Sequence, residues 1–165
     1  MTLDNQQRLW VGTIGGGLSR LDAKRQQFSH FSYHPLDRTS LSHNSVLSII
    51  LDSRGRLWVG TLDGGLNRFD EKHNHFIRFS HNPANANSLG SDRIWSLHED
   101  SNGVIWIGTS NGLSKFDTKA EYFGHFRHQQ WDPYSLSDNN LRSIYLDSKG
   151  QLWVGTYGSG LNLYD

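Results

Sequence analysis

The chain has 165 residues, with 16 Lys plus Arg against 16 Asp plus Glu, so its formal net charge is zero. That balance argues against a broad basic field for nucleic acid and against a polybasic membrane-surface module. With no cysteine, disulfides, thiolate zinc sites, iron–sulfur clusters and a cysteine nucleophile are excluded.

The chain opens on MTLDNQQRLW. No charged region followed by an apolar stretch is present there, so no signal peptide is expected. No run of 18 apolar residues follows anywhere, so no membrane-spanning helix is expected. The first strand signal is LWVGT at Leu9–Thr13, an alternating segment rich in β-formers. It returns at Leu57–Thr61, as IWIGT at Ile105–Thr109, and at Leu152–Thr156. The tryptophans Trp10, Trp58, Trp106 and Trp153 are spaced 48, 48 and 47 residues apart. Residues 3–50 and 51–98 share 21 identities in 48 positions without a gap. A glycine turn and another strand follow each motif: GGGLSRLD, DGGLNRFD, NGLSKFD and GSGLNLYD. The next strand carries paired aromatics: Phe28 and Phe31, Phe76 and Phe79, Phe123 and Phe126. A loop then ends in Ser-Leu at 40–41, 88–89 and 135–136, and a new strand opens at Val46, Ile94 and Leu141. That strand is the first of its unit.

Short strands, glycine turns and a period in the forties predict a β-propeller of four-stranded antiparallel blades. The repeated tryptophan is then first a packing residue. The turn DSRG at Asp52–Gly55 recurs as DSNG and DSKG, and predicts a hairpin between the first and second strands of each unit. Each such loop carries one acidic side chain, too few for a calcium loop. The first unit reads Asp4-Asn5-Gln6-Gln7 instead, and its first strand is expected to be missing. The expected organisation is a partial β-propeller over 1–165. Unit 1–41 has strands two to four, 42–89 and 90–136 are full blades, and 137–165 has strands one to three. These amount to about three and a half blades, too few to close, so the chain is expected to be a piece of a longer propeller or to self-associate through its open edges.

Ser-Leu, a strand ending in Asp, S-x-G-x-L-W-V-G-T, then G-G-L-x-R-F-D and an aromatic pair: this resembles the two-component regulator propeller repeat. The likeness covers essentially the whole chain, and Ser88–Asp117 carries it closely. The resemblance implies a periplasmic, non-catalytic sensor region of a signalling receptor. It implies a histidine kinase or diguanylate cyclase output elsewhere in the parent protein, and inputs such as oligosaccharides.

Positions that vary between units at one rim are free for function. Trp131, in QQWDPY beside Tyr134, stands where the other units have Leu36 and Ala84, so blade geometry does not demand an indole. It is either a stacking platform for a ligand or a plug against the neighbouring blade. Arg93 replaces Ser45 and Asn140; it faces the channel for an anionic ligand or is a solvated rim residue. Trp95 replaces Leu47 and Arg142 and could line a channel. Asn140 and Tyr157 complete the candidate ligand contacts. The nine histidines show no H-x-x-x-H or H-E-x-x-H. His73 and His75 share a strand face, and His30 and His125 take equivalent places, but structural or surface roles are expected and neither metal nor cofactor is. Two other readings compete with ligand sensing. One is a protein-interaction platform. The other is an enzyme resembling streptogramin lyases, which would use His43 with Asp92 or Asp138.

Overall fold

The computed structural model describes residues 1–164 and contains fifteen strands. Among these residues there is no helix long and apolar enough to cross a membrane. The first blade comprises β1 (Thr2–Leu3), β2 (Leu9–Gly12), β3 (Leu18–Leu21) and β4 (Phe28–Phe31). The second comprises β5 (Val46–Leu51), β6 (Leu57–Thr61), β7 (Leu66–Asp70) and β8 (His75–Phe79). The third comprises β9 (Ile94–Glu99), β10 (Val104–Thr109), β11 (Gly112–Asp117) and β12 (Tyr122–Phe126). The fourth has β13 (Leu141–Leu146), β14 (Leu152–Thr156) and β15 (Leu161–Tyr164). Each sheet is an antiparallel meander in chain order.

One expectation is corrected. The first unit has its first strand, because Thr2 pairs with Trp10 and Leu3 with Leu9. This strand is only two residues long and carries no β-former run, so alternation cannot reveal it. The turn behind it survives without glycine because Gln7 adopts the left-handed conformation (φ 62°) that Gly55, Gly103 and Gly150 adopt in the other units.

First strands of adjacent blades touch one another, β5 with β9 and β9 with β13, so they form the inner layer of the stack. Three clusters of buried apolar side chains fill the three spaces between four blades. Trp10, Leu41, Val46 and Phe69 lie between the first pair. Trp58, Leu89, Ile94 and Phe116 lie between the second. Trp106, Leu141 and Val154 lie between the third. β6 is buried at all five positions, since both faces of its sheet are covered.

The tryptophans do more than fill space. Each indole Nε1 donates to the aspartate six residues earlier: Trp10 to Asp4 at 2.8 Å, Trp58 to Asp52 at 2.8 Å, Trp106 to Asp100 at 2.9 Å and Trp153 to Asp147 at 3.1 Å. The other carboxylate oxygen accepts two backbone N–H groups of the hairpin, as Asp52 does from Arg54 (3.0 Å) and Arg56 (2.8 Å). The aspartate thus ties turn to core through three N–H donors. Burial raises the Asp52 pKa, but the bonds from Trp58 and Arg56 outweigh it and hold the carboxyl below its usual range.

The remaining repeat residues also have local partners. Ser40, Ser88 and Ser135 accept, through Oγ, the N–H of His34, Asn82 and Gln129, each at 2.9 Å, and so close the loops. Thr13, Thr61, Thr109 and Thr156 donate from Oγ1 to glycine carbonyls across the turn between second and third strands.

Candidate functional site

At one end of the blades, the turns joining second to third strands meet the loops that lead into the next blade. Leu62 N–H donates to the Ser45 carbonyl (3.0 Å), Ser110 to Arg93 (3.2 Å) and Tyr157 to Asn140 (2.8 Å). Gly17, Gly65 and Gly112 donate to the carbonyls of Asn44, Asp92 and Asn139, which knits each loop to the blade before it.

Just inside this rim the innermost strand of each later blade is irregular. Val46 pairs with Thr61 but Ser48 pairs with Gly60, leaving Leu47 without an opposite residue. The same step isolates Trp95 in β9 and Arg142 in β13. A bulge carries one extra residue and re-aims its side chain. The ladder therefore places no demand on the chemistry of this position, which accounts for Leu, Trp and Arg in equivalent places.

Two of these bulge residues meet. The Arg142 guanidinium carbon lies 3.6 Å from the Trp95 ring centroid and 4.6 Å from that of Tyr157. A guanidinium over an indole face is attracted by the ring quadrupole. The stack and the neighbouring Asn140 also hold polar atoms that the protein leaves unsatisfied. Trp95 Nε1, Arg142 Nε and Asn140 Oδ1 are buried and have no hydrogen-bond partner among the described residues. Arg142 has no carboxylate partner among those residues either. Unpaired donors on Trp95 and Arg142, in a cation held between aromatic rings, with Asn140 two residues away in the chain, suit a ligand rich in oxygen and bearing negative charge.

Of the residues singled out in the sequence, the structure gathers Trp95, Asn140 and Tyr157, and it adds Arg142, which the sequence shows only as a counterpart of Trp95. Arg93 is elsewhere. Its guanidinium holds Asp63 Oδ1 at 2.7 Å and 3.0 Å and reaches the Leu62 carbonyl, so it bridges to the previous blade and is not a free cation. Trp131 is 89% exposed, which overturns the reading of it as a plug. Leu36, at the same place in the first loop, is 97% exposed, so exposure belongs to the position. Tyr134 is exposed beside it, with its N–H bound to Asp132 in the loop's turn. An open groove of about 460 Å³ runs past Trp131, bounded by His128, Pro133 and Asn162.

Among the described residues neither Asp92 nor Asp138 is hydrogen-bonded to His43. His43 Nδ1 accepts the N–H of Ser45, Asp92 accepts that of His81, and Asp138 accepts that of Asn140. His30 and His125 pair with Ser19 and Ser114 of the adjacent strand, both at 3.0 Å.

The family described as two component regulator propeller matches the chain at residues 40–63, 88–111 and 135–158. Among curated protein sequences nothing matches. The extracellular domain of the hybrid two component system BT3049 from B. thetaiotaomicron superposes with a TM-score of 0.80 at 30% identity, over 98% of this chain and 21% of that one. The extracellular domain of BT4673, from the same organism, gives a TM-score of 0.59 at 21% identity, over 99% of this chain and 28% of that one. Virginiamycin B lyase from Staphylococcus aureus gives 0.64 at 11% identity, over 99% of this chain and 54% of that one. The last two show the fold alone. The chain spans about a fifth of the length of the BT3049 domain. In its blades, its aspartate–tryptophan turns and three repeats that match the family model, the chain is similar to the two component regulator propellers.

Proposed function

We propose that this chain is a ligand-sensing segment of a receptor input domain. It binds an oligosaccharide or a similar oxygen-rich ligand and passes the signal on without catalysis. The reading places the segment in the periplasm, with a histidine kinase or diguanylate cyclase output in the parent protein. One observation carries it: the Trp95–Arg142–Tyr157 stack with its two unsatisfied donors, Trp95 Nε1 and Arg142 Nε. In this reading Arg142 and Asn140 bond to ligand oxygens, Trp95 and Tyr157 present ring faces, and Trp131 on the rim offers a further platform. The test is titration calorimetry of the chain against neutral and uronate-bearing oligosaccharides. A uronate-bearing ligand binds, and Arg142→Ala weakens it at least ~10-fold, the scale of one charge-assisted hydrogen bond. Trp131→Ala weakens binding with an almost unchanged Tm. Failure of every saccharide to bind defeats the sensing reading. Undiminished binding by Arg142→Ala and Trp95→Ala moves the site elsewhere.

Self-association is a second reading. Among the described residues β15 has a strand partner on one side only, and Leu161, Leu163 and Tyr164 along it are exposed. A cavity of about 350 Å³ beside it reaches Leu136 and Val154. In earlier blades, Leu41 and Leu89 pack in clusters with Phe76 and Phe123 of the outer strands β8 and β12. Light scattering on the 165-residue chain is expected to give a mass above the monomer's 18.8 kDa that grows with concentration. A monomer at all concentrations rejects this reading.

A further inference from the structure

The outer edge of the second blade holds a group of side chains that neither packing nor the rim stack uses. β7 ends at Asp70, β8 begins at His75, and His73 lies in the turn between them. One ligating atom from each lies within 4.8 Å of the others. Asp70 Oδ2 is 2.8 Å from His73 Nδ1 and 3.6 Å from His75 Nε2. Four ligands at the usual zinc distance of about 2.0–2.1 Å stand roughly 3.3 Å apart along the edges of a tetrahedron. The two observed separations bracket that value and the two histidine nitrogens lie within 4.8 Å of each other, so side-chain rotations can bring the three onto one ion. We propose that Asp70, His73 and His75 bind a divalent transition-metal ion of the zinc class, with the fourth position left to water or an external ligand.

The backbone prepares this arrangement. Asn74, between the two histidines, adopts the left-handed conformation (φ 52°), and the imidazole centroids lie 5.4 Å apart. Asp70 Oδ1 accepts the N–H of Lys72 at 3.0 Å, with that of His73 near it at 3.4 Å. This fixes the carboxylate and turns Oδ2 toward both rings, the kind of support that orients metal ligands. Two imidazoles and one carboxylate are a donor set suited to zinc in a chain without thiolates. All three ligands are partly exposed, so an ion has an entry path. The fold itself does not require the histidines. The equivalent turns keep the aspartate, as Asp22 and Asp117, but carry Arg25 and Gln27, or Ala120 and Tyr122, where His73 and His75 stand.

The experiment is calorimetric titration of the tag-free 165-residue chain with zinc chloride in a non-coordinating buffer. A cobalt(II) titration read by its d–d absorption runs beside it. Expected are one ion per chain, a higher Tm in zinc, and cobalt absorption of four-coordinate strength. His73→Ala and His75→Ala each weaken binding by at least ~10-fold. Asp70→Asn weakens it while keeping the side chain's shape. Because the histidines lie on the surface, Tm without metal should not move, which separates loss of ligand from loss of fold. Absence of 1:1 uptake by the wild type overturns the proposal. So does full binding by the His73→Ala/His75→Ala double variant, which would place the ion on other histidines.

Discussion

Trp58→Ala is expected to destabilise the chain by about 3–5 kcal/mol, the range for removing a large aromatic from a packed core. Trp58 is 0% exposed and lies in the cluster between the second and third blades. Its ring meets Phe79 and Phe116 at 5.8 and 5.7 Å between centroids, and the guanidinium groups of Arg56 and Arg68 lie over it. The cavity would therefore open in the middle of the stack, where both flanking sheets are fixed. The loss is comparable with the whole stability of many domains, about 5–15 kcal/mol. Urea denaturation followed by circular dichroism measures it. Trp58→Phe keeps most of the volume and removes one of the two donors to Asp52 Oδ2, which still accepts Arg56 Nε at 2.6 Å, so a smaller loss of about 1–3 kcal/mol is expected. Trp131→Ala is the matching control and should stay within about 0.5 kcal/mol. Equal effects at Trp58 and Trp131 would show that the repeated indole is not the anchor between blades. The same site makes acid the destabilising direction. The Asp52 carboxyl has its pKa lowered on folding, so its contribution is complete at neutral pH. It is lost as the pH falls from the ordinary carboxylate value through the lowered one.

The blades are legible in the sequence because one pattern serves both faces. Trp58, Leu66, Phe69 and Phe76 recur at fixed spacing, and their third-blade copies Trp106, Leu113, Phe116 and Phe123 pack in the same way, while the end copies Phe28 and Leu161 are exposed. The turn residues are legible for the same reason: Asp52 and Gly55 each answer a local backbone need. What escapes is anything set by two chain segments at once. The bond from Asp52 to Trp58 crosses a hairpin, so the aspartate reads as a turn former and the tryptophan as a packer. β1 escapes because pairing with β2 alone defines it. The Trp95–Arg142 contact joins bulges on adjacent blades. The sequence exposes the variable slot, but a bulge is a property of the pairing between strands and leaves no signature in either one. Arg93 misleads for the converse reason, since its partner Asp63 belongs to the preceding blade. The third member of the Asp70–His73–His75 group is hidden in the same manner. Asp70 reads as one more strand-ending aspartate until the turn brings the histidines back over it.

Gly60→Ala is expected to cost about 1–3 kcal/mol, the usual penalty for forcing extra volume into a packed core. Glycine at this place is not explained by backbone conformation, for Gly60 is not among the glycines with positive φ. Space explains it. A Cβ on Gly60 would lie 2.5 Å from Ile94 Cγ2 and 3.1 Å from Ile94 Cβ. Ile94 opens β9 of the next blade and is fully buried, so neither partner can yield without shifting one sheet against the other. The glycine of the second strand is thus where the following blade makes its close approach. Gly12 meets Val46 in the same way; at Gly108 the nearest atom is Ser96 Oγ of its own sheet, at 2.5 Å, and the following blade approaches through Ile144 Cδ1 at 3.3 Å. Thermal or urea unfolding of Gly60→Ala gives the size of the penalty. Gly158→Ala supplies the contrast, because a Cβ there meets nothing within 4 Å, and it should change stability by no more than about 0.5 kcal/mol. The decisive variant is the pair Gly60→Ala with Ile94→Ala. If the clash is between these two residues, the double variant is more stable than the sum of the singles predicts, by roughly 0.5–3 kcal/mol. Strict additivity would show that Gly60 answers to something other than the approach of the next blade.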